Sequence, residues 1–412
     1  MTQNPTLEPS LESWVPIPDG SDFPVQNLPF GVFSNADGTR CGIAIGDAIV
    51  DLAVTHERGL LDGLDLPVDV FAASTLNRYF ALGNPTWERV RTRLSHLLTD
   101  DTAGLADVAD SALVTRADVS MHLPVAVGDF VDFYSSIHHA TNVGRMFRPD
   151  DEPLLPNWRQ LPVAYHGRAS TISVSGTALR RPDGQLPRPD GPVFGPTEKL
   201  DFELEMAFVT GPANDGKPIP VEIAENSIFG LALLNDWSAR DVQAWEYRPL
   251  GPFNAKSFAT SIAPWIVQLE ALAHSRVPLS DQEPTPLPHL ATPNKGGFDI
   301  ALSVDLNGTR VSDSNFRHMY WSMAQQLAHL TSNGTAINPG DVYGSGTISG
   351  PTRDSLGCLL EITHNGAEPV TLTDGSQRSF LLDGDEVLIR GHAGDSGAPR
   401  IGFGEVRTTI RP

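Results

Sequence analysis

The apolar residues of the first 120 positions change their spacing along the chain. Between Asp22 and about Val50 they form short runs separated by turn signals such as Asn35-Ala-Asp-Gly, which is typical of short strands. Residues 75–98 instead carry apolar side chains at helical spacing. We therefore predict an N-terminal domain over residues 21–120, a small β-barrel or sheet with a helix. A poorly ordered arm over residues 1–20 is expected to precede it.

The remainder, residues 121–412, is predicted to form one larger domain. It is rich in Gly, Pro and β-branched residues, and most of its apolar runs are short enough for strands. Helical spacing recurs in three segments, at residues 136–147, 238–247 and 315–332. Irregular stretches longer than ordinary connections, as functional lids or interface arms often are, cover residues 148–162, 181–199 and 281–297. The predicted fold class is mainly β (α+β).

The charge balance is acidic, because 29 Lys and Arg face 50 Asp and Glu, a formal net charge of −21. Such a chain repels nucleic acid and anionic membranes, so neither is expected as a partner, and a site for an anion must supply its own positive charge. Cys41 and Cys358 are the only cysteines, which excludes a disulfide framework and a multi-cysteine metal site. The start of the chain has no signal-peptide pattern, and no apolar stretch reaches about 18 residues. We expect a soluble cytoplasmic protein.

A carboxylate cluster is indicated by residues 201–208, in which apolar and mostly acidic residues alternate. Because side chains alternate across a strand, Glu203 and Glu205 share a face, with Cα atoms roughly 7 Å apart. A solvated edge strand would also explain the pair. Asp132 stands among aromatic residues, and Asp236 ends an apolar run, where it could alternatively cap a helix. Oxygen ligands alone suit Ca²⁺ or Mg²⁺, and the chain lacks the His-x-x-x-His or paired-Cys signature of zinc.

Candidate partners for an anion lie in the same half of the chain. Arg240, Gln243 and Tyr247 fall at positions i, i+3 and i+7 of a predicted helix, a face that suits a carboxylate or enolate oxygen, although a solvated face has the same pattern. Lys256 interrupts an otherwise nearly uncharged run and needs a carboxylate or a substrate as its partner. The neighbours His138-His139 point about 100° apart on a helix, so at most one faces a given site.

The glycines argue against two common catalytic folds. Residues 343–350 are glycine-rich but lack the spacing of a dinucleotide-binding loop, which leaves a tight turn or a close backbone approach to a ligand. No Gly-x-Ser-x-Gly elbow is present in the sequence, which disfavours an α/β-hydrolase.

Segments in order along nearly the whole chain resemble the fumarylacetoacetase family. They are Asp22-Phe-Pro-Val-Gln-Asn-Leu-Pro-Phe-Gly-Val-Phe, Asp132-Phe-Tyr-Ser-Ser, His139-Ala-Thr-Asn-Val-Gly, Leu155-Pro-Asn-Trp, Leu161-Pro-Val-Ala-Tyr-His-Gly-Arg-Ala-Ser, Leu204-Glu-Met-Ala-Phe, Asn235-Asp-Trp-Ser-Ala-Arg-Asp, Trp245-Glu-Tyr-Arg-Pro-Leu-Gly-Pro-Phe and Gly344-Ser-Gly-Thr-Ile-Ser-Gly. The resemblance implies a small N-terminal SH3-like β-barrel followed by a larger C-terminal mixed β-sandwich roll. It also implies a cytosolic homodimer that cleaves 4-fumarylacetoacetate to fumarate and acetoacetate, the last step of tyrosine degradation.

The same resemblance implies roles for individual residues. A Ca²⁺ ion would be held by Asp132, Glu203, Glu205 and Asp236, and a Mg²⁺ ion by Asp236 with groups at Lys256 and Thr260. The catalytic base falls on His139, paired with Glu361, while Arg240, Gln243 and Lys256 would stabilise developing negative charge. Substrate contacts fall on Tyr134, Arg148, Tyr165, Gln243, Tyr247 and Thr347.

Two other functions stay open at the level of the sequence. One is the hydrolysis, decarboxylation or isomerisation of a related keto acid, such as an acylpyruvate, by another member of the wider superfamily. The other is a non-catalytic Ca²⁺-binding β-module, which would need the carboxylates but none of His139, Glu361 and Lys256. The joint presence of those three residues favours the enzyme.

Overall fold

The structure is a computed structural model that describes residues 4–292, 296–394 and 397–412. In the N-terminal part, three strands and a short helix come first, followed by a longer helix and two more strands. The elements are β1 (Phe30–Asn35), β2 (Gly38–Ile45), β3 (Ala48–Asp51), α1 (Leu52–Glu57), α2 (Asn77–Phe80), α3 (Asn84–Thr99), α4 (Ala109–Ala112), β4 (Leu113–Thr115) and β5 (Ser120–His122).

Short strands dominate the C-terminal part, as predicted. The elements are β6 (Phe130–Phe133), α5 (Ile137–Phe147), β7 (Ala164–His166), β8 (Ile172–Val174), β9 (Leu179–Arg180), β10 (Asp183–Leu186), β11 (Val193–Pro196), β12 (Leu200–Asp201), β13 (Leu204–Thr210), β14 (Ile228–Asp236), β15 (Ser238–Ala239), α6 (Arg240–Glu246), α7 (Asn254–Ser257), β16 (Thr260–Ile262), β17 (Trp265–Gln268), β18 (Arg276–Pro278), β19 (Gly296–Phe298), β20 (Ile300–Leu306), β21 (Thr309–Asn315), α8 (Met323–Thr331), β22 (Val342–Gly344), α9 (Leu359–Ile362), β23 (Val370–Thr371), β24 (Gln377–Arg378), β25 (Glu386–Ala393) and β26 (Ile401–Arg411). The chain is mainly β with a few helices.

Two large sheets pack against each other. A 13-stranded sheet runs in the order β4-β3-β2-β1-β17-β14-β13-β22-β6-β7, with β5 on β1, β16 on β14 and β8 on β16. A five-stranded sheet has the order β21-β20-β25-β26-β9. Apolar side chains from both, including Leu231 and Leu233 of β14 and Ile389 of β25, form one core between them.

The N-terminal strands continue the large sheet. Phe30 of β1 pairs with Ile266 of β17, so the sheet crosses the predicted boundary near residue 121. A second core lies beneath this junction and combines side chains from both parts of the chain. Phe229 of β14 is its centre, with Phe80 stacked on it at 4.0 Å between ring centroids and Trp87 edge-on at 5.1 Å. Among the described residues these pairings form no closed barrel, and the SH3-like form of this unit stays a prediction.

Two side chains of the N-terminal arm contact α3. The Trp14 indole N–H donates to the Leu97 carbonyl at 2.9 Å. The buried Arg91 guanidinium donates to Thr6 Oγ1 at 3.0 Å and to the Asn27 carbonyl at 2.8 Å. These contacts come from single side chains without periodic spacing, so no sequence pattern predicts them. Residues 1–3 lie outside the described part.

Three sequence predictions need new boundaries. The helical run 75–98 is two helices, because Gly83 adopts a φ of 81° and Pro85 follows at the start of α3. The helix predicted at 315–332 begins only at Met323, where Ser322 forms a capping box with Gln325. The stretch 181–199, expected to be irregular, contains the β10–β11 hairpin. Residues 293–295 of the stretch 281–297 lie outside the described part.

Other local predictions are confirmed. The helices expected at 136–147 and 238–247 appear as α5 and α6. The turn at Asn35-Ala-Asp-Gly closes the β1–β2 hairpin, with Asn35 paired to Gly38. Within the described ranges, no helix combines the length and the apolar character needed to cross a bilayer.

Candidate active site

Four buried carboxylates meet where neighbouring strands of the large sheet lie side by side. Asp132 comes from β6, Glu205 from β13 and Asp236 from the end of β14, while Glu203 lies between β12 and β13. Asp132, Glu203 and Asp236 each offer an oxygen within 4.8 Å of the others. The predicted strand over 201–208 is thus interrupted at 202–203, yet both glutamates reach the cluster.

The glycine-rich turn makes room for this cluster. A Cβ on Gly344 would lie 2.6 Å from Asp132 Oδ1 and 2.9 Å from Glu205 Oε2. Gly346 has a φ of 78°, and its N–H donates to the same two oxygens, at 3.1 Å each. Only glycine allows both the close approach and the left-handed backbone. The backbone of this turn therefore lies close to the protein's own carboxylates, and a close approach to a ligand stays a prediction.

The charges in the cluster are not balanced. Burial, followed by repulsion from neighbouring carboxylates, raises the pKa of Asp132 and of Glu205 well above the ordinary range. Burial also acts to raise the pKa of Glu203, but the charges of Lys256 and Arg240 outweigh it and lower that pKa. Glu205 Oε1 has no hydrogen-bond partner within the described residues. A buried, oxygen-only set with an unpaired carboxylate oxygen fits a hard divalent cation.

Lys256 supplies positive charge directly to the cluster. Its ammonium group contacts Glu203 Oε2, and it lies 3.0 Å from Asp236 Oδ2. Burial alone would lower the pKa of Lys256, but Asp236 and Glu203 raise it, so the group stays charged. Of the two partners predicted for this lysine, a carboxylate or a substrate, the structure shows carboxylates. Asp236 also accepts from Thr260 Oγ1 at 2.8 Å and from the Tyr165 hydroxyl at 2.5 Å.

A histidine–glutamate pair lies beside the carboxylates. His139 Nδ1 is 2.6 Å from Glu361 Oε2, and both side chains are buried. Glu361 also accepts from Asn142 Nδ2 at 2.8 Å and from Ser349 Oγ at 2.7 Å. Burial acts to raise the pKa of Glu361, but His139 and these donors together lower it to about 2. His138 faces away, with its ring edge-on to His318 at 6.0 Å, so one histidine of the two serves the site.

Asp201 connects the carboxylate cluster with the His139–Glu361 pair, a role that no sequence pattern predicted. Its carboxylate accepts from the backbone N–H groups of Leu359 at 2.7 Å and Leu360 at 2.9 Å, the start of the short helix that carries Glu361. It also accepts from Arg240 Nε at 2.8 Å. The alternating pattern at 201–208 contained this residue, but its partners are about 40 and 160 positions away, beyond any local signal.

The Arg240 guanidinium extends beyond Asp201 and contacts two further side chains. Its Nη1 lies 2.8 Å from Glu203 Oε1 and donates to Gln243 Oε1 at 3.1 Å. Its Nη2, and Thr347 Oγ1 across the site, are buried without a hydrogen-bond partner in the part of the chain that is described. Buried donors are normally paired, so these two groups are poised for a ligand.

A cavity of about 540 Å³ joins these features. The predicted site residues on its wall are Asp132, Tyr134, His139, Arg148, Tyr165, Glu203, Arg240, Gln243, Tyr247, Lys256 and Thr347. Four predicted residues, Glu205, Asp236, Thr260 and Glu361, are not part of this wall and act through their contacts with it. The irregular stretch 148–162 contributes Pro153, Leu154 and Trp158 to the cavity wall. The structure thus brings all the predicted site residues into one region.

Comparisons with known proteins agree with this arrangement. Residues 26–124 match the family model "Fumarylacetoacetase N-terminal" and residues 130–411 match "Fumarylacetoacetate (FAA) hydrolase C-terminal". The chain is 51% identical to the fumarylacetoacetase of Caenorhabditis elegans over 98% of this chain and 99% of that protein. It is 48% identical to the human fumarylacetoacetase over 97% and 99%, respectively. A fumarylacetoacetate hydrolase structure from Exiguobacterium antarcticum is similar in fold, with a TM-score of 0.54, 16% identity and coverage of 93% of this chain and 99% of that one.

Proposed function

The chain belongs to the fumarylacetoacetase family, and from that premise we propose that it hydrolyses a carbon–carbon bond of 4-fumarylacetoacetate to give fumarate and acetoacetate. This reaction is the last step of tyrosine and phenylalanine degradation. The observation that carries the proposal is the buried His139–Glu361 pair on the wall of a cavity that also presents cations and a carboxylate cluster. A passive Ca²⁺-binding module would need the cluster alone.

The cavity suits a small dianion with a 1,3-diketone. Arg240 Nη2 and Thr347 Oγ1, which have no hydrogen-bond partner among the residues that the structure describes, can donate to carbonyl or enolate oxygens. At the other side Arg148 and Tyr134 would hold a terminal carboxylate, with Arg148 Nη2 already fixed by the Pro153 carbonyl at 2.8 Å. Tyr165, Gln243 and Tyr247 line the remaining polar wall. The positive charges of Arg240 and Arg148 allow an anion to bind in a protein whose net charge is negative.

His139 is the general base of the proposed reaction. A pKa of about 2 keeps Glu361 ionised, so its carboxylate holds the Nδ1–H of the imidazole. The second ring nitrogen is left free to accept a proton from water. The resulting hydroxide oxygen attacks the substrate carbonyl carbon, and Glu361 stabilises the imidazolium that forms. Asn142 and Ser349 fix the carboxylate, which keeps the ring orientation constant.

Bond cleavage follows from the tetrahedral adduct. The oxyanion re-forms a carbonyl, the carbon–carbon bond breaks, and its electron pair leaves on acetoacetate as an enolate. His139 returns its proton to that carbanion. Arg240, Gln243 and Lys256 stabilise the negative charge at both stages. Charged groups in a buried cavity are effective here because little water screens them.

A divalent cation belongs to this proposal. Asp132, Glu203, Glu205 and Asp236 would hold Ca²⁺, and Asp236 with the groups at Lys256 and Thr260 would hold Mg²⁺. When bound, such an ion supplies Lewis-acid polarisation of a substrate oxygen. The raised pKa values of Asp132 and Glu205 support it, because a cation replaces the protons that those buried carboxylates otherwise favour.

We also propose the finer architecture that the family implies. It consists of an SH3-like N-terminal domain over residues 21–120, after an arm over residues 1–20, and a catalytic mixed β-sandwich roll over residues 121–412. The two family models meet between residues 124 and 130, which supports this division. A cytoplasmic location is part of the same proposal.

A homodimer is supported by exposed apolar side chains near the cavity mouth. Leu250, Phe194 and Phe253 are at least 70% exposed. Leu250 and Phe253 flank Gly251 and Pro252 of the cavity wall, and Trp245 donates to Gln185, which pairs with Phe194 across the β10–β11 hairpin. Apolar groups clustered at a surface are typical of an interface. Light scattering of the wild-type chain against L250E checks the proposal, and equal masses corresponding to one chain would contradict it.

The reaction is tested by following the ultraviolet absorbance of the diketone with purified protein. We expect the absorbance to fall with formation of fumarate and acetoacetate, to stop on chelation and to resume with Ca²⁺ or Mg²⁺. H139A should lose at least about 10²-fold in kcat, whereas H138A, its immediate neighbour, keeps the wild-type rate. A folded, metal-loaded wild-type protein that is inactive here but active on acylpyruvates would assign it the alternative substrate.

A further inference from the structure

A second set of metal-ligating side chains lies beside the cavity. His139, Cys358 and Glu361 each offer one ligand atom, and the three atoms lie within 4.8 Å of one another. The Cys358 thiol donates to Glu361 Oε2 at 3.2 Å, the same oxygen that contacts His139. All three side chains are buried. The proposed hydrolysis uses the imidazole and the carboxylate but has no task for the thiol.

We propose that His139, Cys358 and Glu361 form a zinc site, separate from the carboxylate cluster, and that Zn²⁺ bound there inhibits the enzyme. The binding follows from the ligands alone, whereas the inhibition rests on the proposed function. No spacing motif marks this site, because its histidine comes from α5 and its cysteine from the start of α9, and only the fold brings them together.

To bind zinc, the His139 and Cys358 ligand atoms must move slightly farther from Glu361 Oε2. Zinc takes nitrogen, sulfur and oxygen ligands at roughly 2.0–2.3 Å in a tetrahedron, which places neighbouring ligand atoms roughly 3.3–3.6 Å apart. The present separations are 2.6 Å for His139 Nδ1 to Glu361 Oε2 and 3.2 Å for Cys358 Sγ to the same oxygen. On binding, the thiol proton leaves to solvent and the proton on Nδ1 moves to Nε2, so the ligands are a thiolate and a neutral imidazole. Water completes the four ligands.

The ligand types separate this site from the carboxylate cluster. A thiolate and an imidazole select zinc or another thiophilic ion over Ca²⁺ and Mg²⁺, which prefer oxygen alone. The cluster of Asp132, Glu203 and Asp236 offers oxygen only. Saturating Ca²⁺ therefore fills the cluster and leaves the three-residue site available to zinc.

Zinc at this position blocks the proposed base. The ion takes up both Nδ1 of His139 and the carboxylate of Glu361, so the hydrogen bond between them is lost. It also places a positive charge next to the imidazole, which opposes uptake of a proton from water. Excess Ca²⁺ should not reverse the inhibition, because the two ions do not share ligands.

Cobalt tests the site without reference to activity. Full-length protein saturated with Ca²⁺ is titrated with Co²⁺, and we expect thiolate-to-cobalt charge-transfer absorption in the near ultraviolet. C358S, or C358A if the serine variant does not fold, should lack this band. C41S is the matched control, since Cys41 is buried elsewhere, against the carbonyls of Ala73 and Thr75, and its band should equal that of the wild type. A wild-type protein without the band, or a band that C358S retains, overturns the proposal.

Zinc inhibition is then measured at saturating Ca²⁺, with each variant compared to its own zinc-free rate. C358S should need at least about tenfold more zinc than wild type or C41S for half inhibition. Suppose that the enzyme is active and shows a Cys358-dependent band, but zinc does not inhibit it. This result overturns the proposed inhibition by zinc and also the assignment of His139 as the general base. An enzyme inactive with every metal, but with the band intact, keeps the zinc site and removes the proposed hydrolysis.

Discussion

Truncation of Phe229 to alanine tests whether the two parts of the chain share one core. Phe229 is fully buried on β14, in the C-terminal part, and its ring contacts Phe80 at 4.0 Å, Trp87 at 5.1 Å and Phe30 at 5.4 Å, all from the N-terminal part. A buried Phe→Ala change costs about 3–5 kcal/mol. Aromatic pairs add about 0.5–1.5 kcal/mol each beyond area burial, so we expect the upper end, about 5 kcal/mol.

The consequence should appear in one transition. Scanning calorimetry and urea unfolding, followed by tryptophan fluorescence and far-ultraviolet circular dichroism, should show a single transition, with Tm lowered by about 6 °C in F229A. V68A is the control, because Val68 is 93% exposed and its truncation should change the free energy of unfolding by less than about 0.5 kcal/mol. Two separated transitions, with only one of them shifted in F229A, would refute the shared core.

Three further changes address the site. In E361Q, kcat should fall about 10³-fold in the diketone assay, because a neutral amide no longer stabilises the imidazolium; a loss below tenfold would contradict the pairing. The same variant tests stability in acid, because folding lowers the pKa of Glu361 from 4.5 to about 2. The ionised carboxylate should therefore add about 3 kcal/mol to the free energy of unfolding above pH 4.5, and this contribution should be lost as the pH falls towards 2. Urea titrations should find this pH dependence in wild type and not in E361Q. D201N should lower kcat about 10²-fold with little change in KM, since it loosens Arg240 and the helix of Glu361 together; a KM effect alone would show that Asp201 only shapes binding. K256M should lower the free energy of unfolding of the metal-free protein at neutral pH by about 3–5 kcal/mol, and Ca²⁺ should recover part of this loss. The control K217M, at an exposed lysine, should unfold like the wild type with and without Ca²⁺. Equal free energies of unfolding for K256M and wild type would mean that the carboxylates do not need the ammonium group.

Local patterns predicted site residues that lie close together in the sequence. Period two placed Glu203 and Glu205 on one face, and both reach the carboxylate cluster although the strand is interrupted at 202–203. The spacing i, i+3, i+7 placed Arg240, Gln243 and Tyr247 together, and all three lie on the cavity wall. The isolated Lys256 was predicted to need a carboxylate or a substrate as its partner, and it contacts two carboxylates. These predictions succeed because strand and helix periodicity are properties of neighbouring residues.

Contacts between distant segments could not be read in the same way. The pairing of His139 with Glu361 was known only through the family resemblance, and the role of Asp201 was missed altogether. The start of α8 was misplaced because Phe316 and Met319 are apolar at helical spacing, while the Ser322 cap decides where the helix begins. The hydrogen bond of Trp14 to Leu97 of α3 is another contact between distant segments, and no pattern in the arm predicts it.

The separation of His139 and Glu361 in the sequence has a consequence for biosynthesis. The pair spans 222 positions, and the contact of Gly346 with Asp132 spans 214. At about 5–20 residues per second, a ribosome needs roughly 10–45 s to make the residues between the two members of the pair. During that interval β6 and α5 are complete, while β22 and α9, which complete their contacts, do not yet exist. A nascent chain therefore carries exposed strand edges for many seconds, and we expect its yield in cells to depend on chaperones more than the stability of the finished fold would suggest.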